Sequence, residues 1–358
     1  MEKRESLAIK MNPYSIMFGK EPIRNIRREK LLRQVTDDYT APEPMIQVYM
    51  ITGVRGSGKT VFLSDATAFF KRQEDWIVVS ISSDGDILDK IISALAAEKT
   101  LARVFQNASI NLSFFGVGLE VSGAPKISNP EIALKKMLES LKRQNKRVLI
   151  AIDEIIKSKE MVTFASAFQL YIRDDLPVYL LMTGLSENIE ELQNVKNLTF
   201  LYRAPKLVME PLQIQQIQCD YKETLGIDSG AALEMARETK GYPYAFQLIG
   251  YFTWKNQCQY TEAVRKDWKA RLYDYVYDII WERLSQKDRF VAYGIAKAQN
   301  HRTAEAREIL GLSKDEFNPY RKRLIKKGLV KGDSWGIVSF TLPYFDEFVR
   351  RTYEEEHY

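Results

Sequence analysis

The chain has 358 residues, 45% of them hydrophobic and 28% charged, with 52 Lys and Arg against 47 Asp and Glu. That length exceeds one compact core and suits two or three domains, and the composition excludes a disordered or collagen-like polymer. Two histidines, one of them at the C-terminus, and two cysteines without CxxC spacing argue against a His-based triad and a zinc site.

In chain order, residues 1–44 read as an irregular lead-in. Pro13, Pro22, Pro42 and Pro44 punctuate it around one helix expected from about Asn25 to Val35. MEKRESLAIK carries charge but no apolar signal core, and no later run reaches the roughly 18–20 apolar residues that span a bilayer. A cytoplasmic protein without membrane contact is expected. Residues 45–210 alternate the apolar strands MIQVYMIT, WIVVSIS, RVLIAID and PVYLLMTG with amphipathic helices, the pattern of a parallel sheet covered on both faces. Within them ILDKIISALAAEKTLARVF reads as one helix. Residues 107–130 alternate apolar residues with glycines and read as a hairpin-like insertion. Residues 211–283 read as helical, with breaks at Gly226 and GYPY. Residues 284–358 read as three helices followed by two short strands around a Gly-Asp turn. Trp254 and Trp335 read as packing residues, and Cys219 and Cys258 as buried apolar ones.

The stretch GVRGSGKT fits G-x-x-x-x-G-K-[ST] with Gly53, Gly58, Lys59 and Thr60. A strand precedes it and a helix follows, the context such a motif requires. Backbone amides across Val54, Arg55, Gly56, Ser57 and Val61 can turn toward phosphate oxygens without a Cβ in the way of the glycines. Lys59 would reach the β- and γ-phosphates of ATP or ADP, and the Thr60 hydroxyl would ligate Mg²⁺, with the N-terminal end of the helix facing the same anion. RVLIAIDEI supplies the second half: Asp153 leaves the C-terminal end of a buried strand to hold Mg²⁺, and Glu154 follows to polarise a water.

Thr183, at the end of PVYLLMTG, has two readings. It sits near the γ-phosphate between the cradle strand and the Asp153 strand, or it caps the helix of LSENIEEL. Arg203 in TFLYRAPKLVMEPL either reaches the nucleotide of a neighbouring subunit in a homo-oligomer or makes a surface salt bridge.

Charge concentrates near the C-terminus. From Arg302 to Lys331 there are nine Lys or Arg against four Asp or Glu. Ser313 to Glu316 forms a capping box, but Pro319 two turns on implies either a kink or a fresh helix start capped by Asn318. The fresh start makes PYRKRLIKKG a recognition helix, with Leu324 and Ile325 inward and Arg321, Lys322, Arg323, Lys326 and Lys327 around the outer face. Such a helix suits the major groove of duplex DNA, or else a protein partner.

In order, GVRGSGKT, VLIAIDEI, LLMTGL, FLYRAPKLVMEPL and GYPYAFQLIGYFTW resemble the AAA+ ATPases of the origin-recognition and archaeal-ATPase branch, which borders on the STAND ATPases. NPYSIMFG near the start and RKRLIKKG near the end resemble bacterial AAA family ATP-binding proteins. The likeness covers nearly the whole chain. It implies an α/β P-loop ATPase domain (45–210) whose five-stranded parallel sheet has the cradle strand in the middle, a helical lid (211–283) and a C-terminal winged helix-turn-helix domain (284–358). It also implies that Gly241, Tyr242 and Pro243 lie near adenine. The chain departs from that pattern in three places: GYPYAFQ has no arginine, Thr183 stands for asparagine, and Arg27–Glu29 lacks the preceding glycine. These bear on the rate of hydrolysis rather than on nucleotide binding. Two functions follow: an ATPase whose nucleotide state controls duplex DNA, or a slow nucleotide switch that recruits a protein in signalling or defence.

Overall fold

The structure, a computed structural model, describes residues 11–17, 22–118, 120–332 and 336–357. They form two compact units. One holds residues 27–54 and 59–209; the other holds residues 55–58 and 210–358 with the described residues before 27.

The first unit runs α1 (Glu29–Thr40), β1 (Val48–Thr52), α2 (Lys59–Phe70), β2 (Trp76–Ser82), α3 (Ile87–Ala97) and α4 (Ala102–Asn107). It continues through α5 (Pro130–Lys142), β3 (Arg147–Asp153), α6 (Lys159–Arg173), β4 (Val178–Gly184), α7 (Ser186–Gln193), α8 (Phe200–Arg203) and β5 (Lys206–Val208). The five strands pair in parallel in the order β2-β3-β4-β1-β5. The cradle strand β1 is therefore not the middle one, as expected, but lies between β4 and the edge strand β5. Only that three-residue strand lies beyond β1, whereas β3 and β2 both lie beyond β4.

Alternation along the strands explains why the sheet is covered on both faces. Tyr49, Ile51, Leu149, Ala151, Tyr179 and Leu181 share a core with Val35 and Tyr39 of α1 and Phe62 and Phe70 of α2. Their strand neighbours Met50, Ile150, Leu180 and Met182 share the other core with α3, α5 and α6. Burial of each large side chain contributes roughly 1.5–3 kcal/mol. Tyr39 also donates its hydroxyl to the Leu180 carbonyl at 2.7 Å, so α1 is pinned to the middle strand. That helix starts and ends later than expected, because Val35, Thr36 and Tyr39 all face the core and the chain stays helical until Ala41 adopts the extended backbone that Pro42 demands.

Two further expectations are corrected. The helix read over residues 87–105 breaks after Ala97, and the turn through 98–101 sends Leu101 and Phe105 into the core. Residues 107–130 contain no strand ladder among the described residues, only a 3₁₀ turn at Ser113–Phe115 and an isolated bridge between Asn111 and Lys126. Gly116, Gly118 and Gly123 take left-handed φ angles, which interrupt a ladder. Buried Asn111 organises the loop instead, donating to the carbonyls of Val121 and Ala124 and accepting from the Ser113 amide.

The second unit comprises α9 (Ile214–Leu225), α10 (Ser229–Glu238), α11 (Pro243–Lys255), α12 (Glu262–Leu272), a π-helical segment Tyr273–Tyr277, α13 (Asp278–Glu282), α14 (Gln286–Lys297), α15 (Thr303–Leu310), α16 (Lys314–Lys326), β6 (Val330–Lys331), β7 (Ser339–Phe340) and α17 (Phe345–His357). A segment near the N-terminus straps onto it. The Tyr14 hydroxyl donates to Asp220 at 2.7 Å, Arg24 pairs with the same carboxylate, and Gln247 bridges the Ser15 amide and the Arg24 carbonyl. Gly250 lets the Tyr14 ring lie against α11, since a Cβ there would meet that ring at 2.5 Å. Phe18 and Gly19 of NPYSIMFG lie outside the described residues.

The three helices α14–α16 precede an antiparallel pair in which Val330 faces Phe340, and a further bridge joins Arg302 to Ile337. The Gly-Asp turn, from Asp333 onward, and Trp335 lie outside the described residues. Helix α16 is continuous through Pro319, so the fresh start at Asn318 is not adopted. The Ser313–Glu316 capping box fixes its start, and Phe317 and Leu324, one on each side of the proline, are buried on the same face. Ile325 is only half-buried. The tail closes against helices on both sides of residue 283: Trp281 donates to Glu356 at 2.8 Å, and Arg289 pairs with the same carboxylate. Cys219 is exposed and Cys258 half-buried, contrary to the expected burial, because Cys219 lies on the outer face of α9. Among the described residues no helix is long and apolar enough to cross a membrane.

Candidate functional site

Strand β1 ends at Thr52, the loop follows, and α2 begins at Lys59. Gly56 and Gly58 take φ angles of +74° and +87°, which a side chain would strain. Lys59 is 9% exposed, and its Nζ donates to the carbonyls of Gly53 at 2.9 Å and Val54 at 3.0 Å. These carbonyls are neutral acceptors, which a phosphate anion would displace as the stronger one. Thr60 and Val61, both half-buried, complete the first turn of α2.

Parallel pairing brings the other carboxylates to the same sheet edge. Ile51 pairs with Thr183 between β1 and β4, and Ile152 pairs with Met182 between β3 and β4. All three strands thus present their C-terminal ends together, where open α/β sheets place their ligands. Thr183, wholly buried, donates its hydroxyl to Asp153 Oδ1 and accepts the Glu154 amide at 2.9 Å. The Glu154 amide also reaches Asp153 Oδ1 at 3.1 Å, and Glu154 adopts a left-handed φ of +50°. The Ser83 hydroxyl donates to the Glu154 carbonyl at 2.9 Å, and the Ile155 amide to the Thr183 carbonyl at 2.8 Å. This knot points Asp153, half-buried, and Glu154, exposed, off the sheet edge.

The capping reading of Thr183 is overturned. Helix α7 has Leu185 at its N-cap with no side-chain bond, because the Thr183 hydroxyl is already spent across the strands. Sequence reasoning missed this link; the one signal for it was a hydroxyl ending a strand that is otherwise apolar. It also missed the 3.0 Å contact between the hydroxyls of Thr52 and Ser186. Arg203 is exposed at the end of α8 and makes no salt bridge among the described residues. Among the described residues no group of three or more His, Cys, Asp or Glu is placed to hold a metal.

In the second unit, the turn before α11 lies against residues 55–58. The Tyr242 hydroxyl donates to the Arg55 carbonyl at 2.5 Å, and burial pushes that phenol far above its usual range. The basic face of α16 is uneven. Lys322 is exposed, as is Lys326, while Lys327 and Arg321 are half-buried. Arg323, also exposed, makes a specific pairing: it donates to buried Asp288 at 2.7 Å and to the Ser285 hydroxyl at 3.0 Å, tying α16 to the start of α14. Arg321 lies under the strand end, where a Cβ on Gly332 would meet its Nη2 at 2.4 Å.

Residues 274–349 match a family described as a domain of unknown function (DUF8462). No curated protein matches the chain. Among solved structures, ORC2 of Aeropyrum pernix in its ADPNP-ADP complexes aligns over 95% of this chain and 97% of its own, at 15% identity and a TM-score of 0.59. The ADP form of that protein aligns over 94% and 97%, at 16% identity and a TM-score of 0.51. The chain has the α/β P-loop AAA+ fold. Cdc6p of Pyrobaculum aerophilum aligns over 95% and 97% at 13% identity, with a TM-score of 0.46. In this AAA+ fold the five-stranded parallel sheet is followed by a helical C-terminal region, as the sequence resemblance implies.

Proposed function

We propose that the chain is a Mg²⁺-dependent ATPase whose nucleotide state controls engagement of duplex DNA through a winged helix formed by α14–α16 and β6–β7. The observation that carries this reading is the knot of Asp153, Glu154 and Thr183 at the sheet edge where β1 delivers the Lys59 loop. The nucleotides in the Aeropyrum pernix ORC2 structure support ATP and ADP as ligands here.

The donor set fits the cofactor. Mg²⁺ takes one or two protein oxygens and completes its shell with water and phosphate, and Thr60 with Asp153 would supply those two. When bound, the ion neutralises charge on the phosphate oxygens. The chain's residues do the rest. Lys59 exchanges the Gly53 and Val54 carbonyls for β- and γ-phosphate oxygens. The loop amides of Arg55–Gly58 donate to the same anion. Thr183 keeps the Asp153 carboxylate oriented, and Glu154 accepts the proton of the attacking water. Arg203, exposed and without a salt bridge among the described residues, is assigned to the nucleotide of a neighbouring subunit in a homo-oligomer.

Duplex DNA is favoured because the basic excess falls on α16 and the segments beside it. Lys322, Lys326 and Lys327 are assigned to phosphates, which fix position without reading sequence. Fluorescence anisotropy of a labelled duplex at fixed salt tests this. Binding that differs between ATP and ADP, and that weakens in Lys322→Glu, supports the reading. Nucleotide-independent binding unaffected by that change refutes it.

A second reading is favoured by Arg323. Its engagement with Asp288 ties up one of the two arginines of α16 that could read a base edge. With no arginine in GYPYAFQ, this suits a slow switch that presents α16 to a protein in signalling or defence.

A further inference from the structure

We infer that Tyr242 is a latch on the phosphate-binding loop: its hydroxyl fixes the orientation of the Arg55–Gly56 peptide and thereby couples the lid to nucleotide binding. The inference rests on the nucleotide reading above and adds the means of its regulation.

The contact lies wholly within the second compact unit, to which residues 55–58 belong along with Tyr242. Tyr242 is 4% exposed and donates to the Arg55 carbonyl at 2.5 Å. A Cβ on Gly56 would lie 2.1 Å from the Tyr242 Oη and 3.1 Å from the Tyr244 Cβ, and one on Gly58 would lie 3.9 Å from Pro243. Three successive residues at the start of α11 therefore back the loop, and Gly56 is needed for that approach. Gly241, at φ +75°, makes the turn possible, since a Cβ there would meet the Leu212 carbonyl at 2.4 Å.

Peptide planarity gives the contact its consequence. The Arg55 carbonyl and the Gly56 N–H share one plane and point in opposite directions. With the carbonyl held by Tyr242, the Gly56 N–H points away from the lid turn. A loop that binds phosphate needs its amides turned toward the anion, and a flipped peptide would present a carbonyl oxygen instead. Gly56 sits at φ +74°, a residue type that tolerates both orientations, so the loop by itself does not choose. The tyrosine chooses. Phosphate binding and the lid contact select the same peptide orientation, and linkage makes each strengthen the other.

The test is a titration with the fluorescent probe N-methylanthraniloyl-ADP, with Mg²⁺ at fixed salt, on wild type, Tyr242→Phe and Lys59→Ala. Hydrogen exchange of residues 53–58 and of α9–α11 is followed on the same samples. Loss of one hydrogen bond is expected to weaken probe binding about threefold to tenfold in Tyr242→Phe. Exchange should accelerate in residues 53–58 and leave α9–α11 unchanged, whereas a purely structural role would loosen those helices too. Unchanged affinity in Tyr242→Phe, with binding lost in Lys59→Ala, overturns the latch and leaves the nucleotide reading standing. So does weakened binding with exchange accelerated across α9–α11 as well. Equal binding by wild type and Lys59→Ala, or none by either, overturns both.

Discussion

Thr183→Val removes one hydroxyl from the middle of the site and leaves its volume nearly unchanged. The valine methyl would fill the same wholly buried space at the end of β4, so no cavity term enters. What is lost is the donation to Asp153 and the acceptance of the Glu154 amide. A hydrogen bond to a charged group contributes about 1.5–3 kcal/mol. The Glu154 amide retains Asp153 Oδ1 at 3.1 Å, which limits the second loss. The expected destabilisation is therefore about 2–3 kcal/mol in urea titration. Because the same hydroxyl orients the carboxylate assigned to Mg²⁺, the metal concentration for half-maximal turnover should rise about tenfold, the scale of a lost second contact to a metal ligand. Thr183→Ser keeps the hydroxyl and should recover most of both effects. If serine and valine behave alike, or valine matches wild type, Thr183 does not orient Asp153 and the account of this edge is wrong.

Four further outcomes follow from the contacts. Arg323→Ala leaves Asp288, 2% exposed, without its guanidinium; with the arginine partly in water the cost should be about 1–3 kcal/mol, read as a lowered unfolding midpoint. Gly250→Ala drives a methyl into the Tyr14 ring and should destabilise by about 1–3 kcal/mol, an effect that Tyr14→Ala should largely abolish in the double variant. Lys322→Ala should reduce the salt slope of duplex binding by about one, with similar losses on unrelated sequences. The buried phenols predict alkaline sensitivity. Burial, with the Asp38 carboxylate alongside, pushes Tyr49 up to about 12, and Tyr39 and Tyr221 are raised by burial too. Raised folded-state values give stability that is complete below about pH 10, the unfolded value, and is lost as pH rises toward 12. Phenolate absorbance should therefore rise together with unfolding in that window, and Tyr49→Phe should unfold at higher pH.

Local pattern made much of this fold legible. Strands β2 and β3 fall where near-continuous apolar runs placed them, since both faces of a covered parallel sheet are apolar. The loop at Lys59 and the carboxylates at Asp153 and Glu154 were legible because motif and flanking strand occur together in sequence. Contacts set by long-range geometry were not. A hydroxyl ending the apolar strand at Thr183 left two readings open, and the crossing to Asp153 rather than a cap on α7 is decided by strand order. Arg323 looked like one cation of five until Asp288, 35 positions earlier, was brought beneath it. The continuous α16 likewise shows tertiary burial of Phe317 and Leu324 prevailing over the proline between them. The hairpin expected in residues 107–130 failed for the converse reason. Alternation there is real, but the left-handed glycines interrupt a ladder and the Asn111 side chain satisfies backbone groups locally.

The most direct test of the central claim is steady-state ATP turnover at one fixed low salt concentration, with and without duplex DNA, using Glu154→Gln as the blank. Turnover above that blank, raised severalfold by the duplex, is the predicted result, because it requires both the Asp153 edge and the basic helix to act in one cycle. Turnover equal to the blank under both conditions would contradict it.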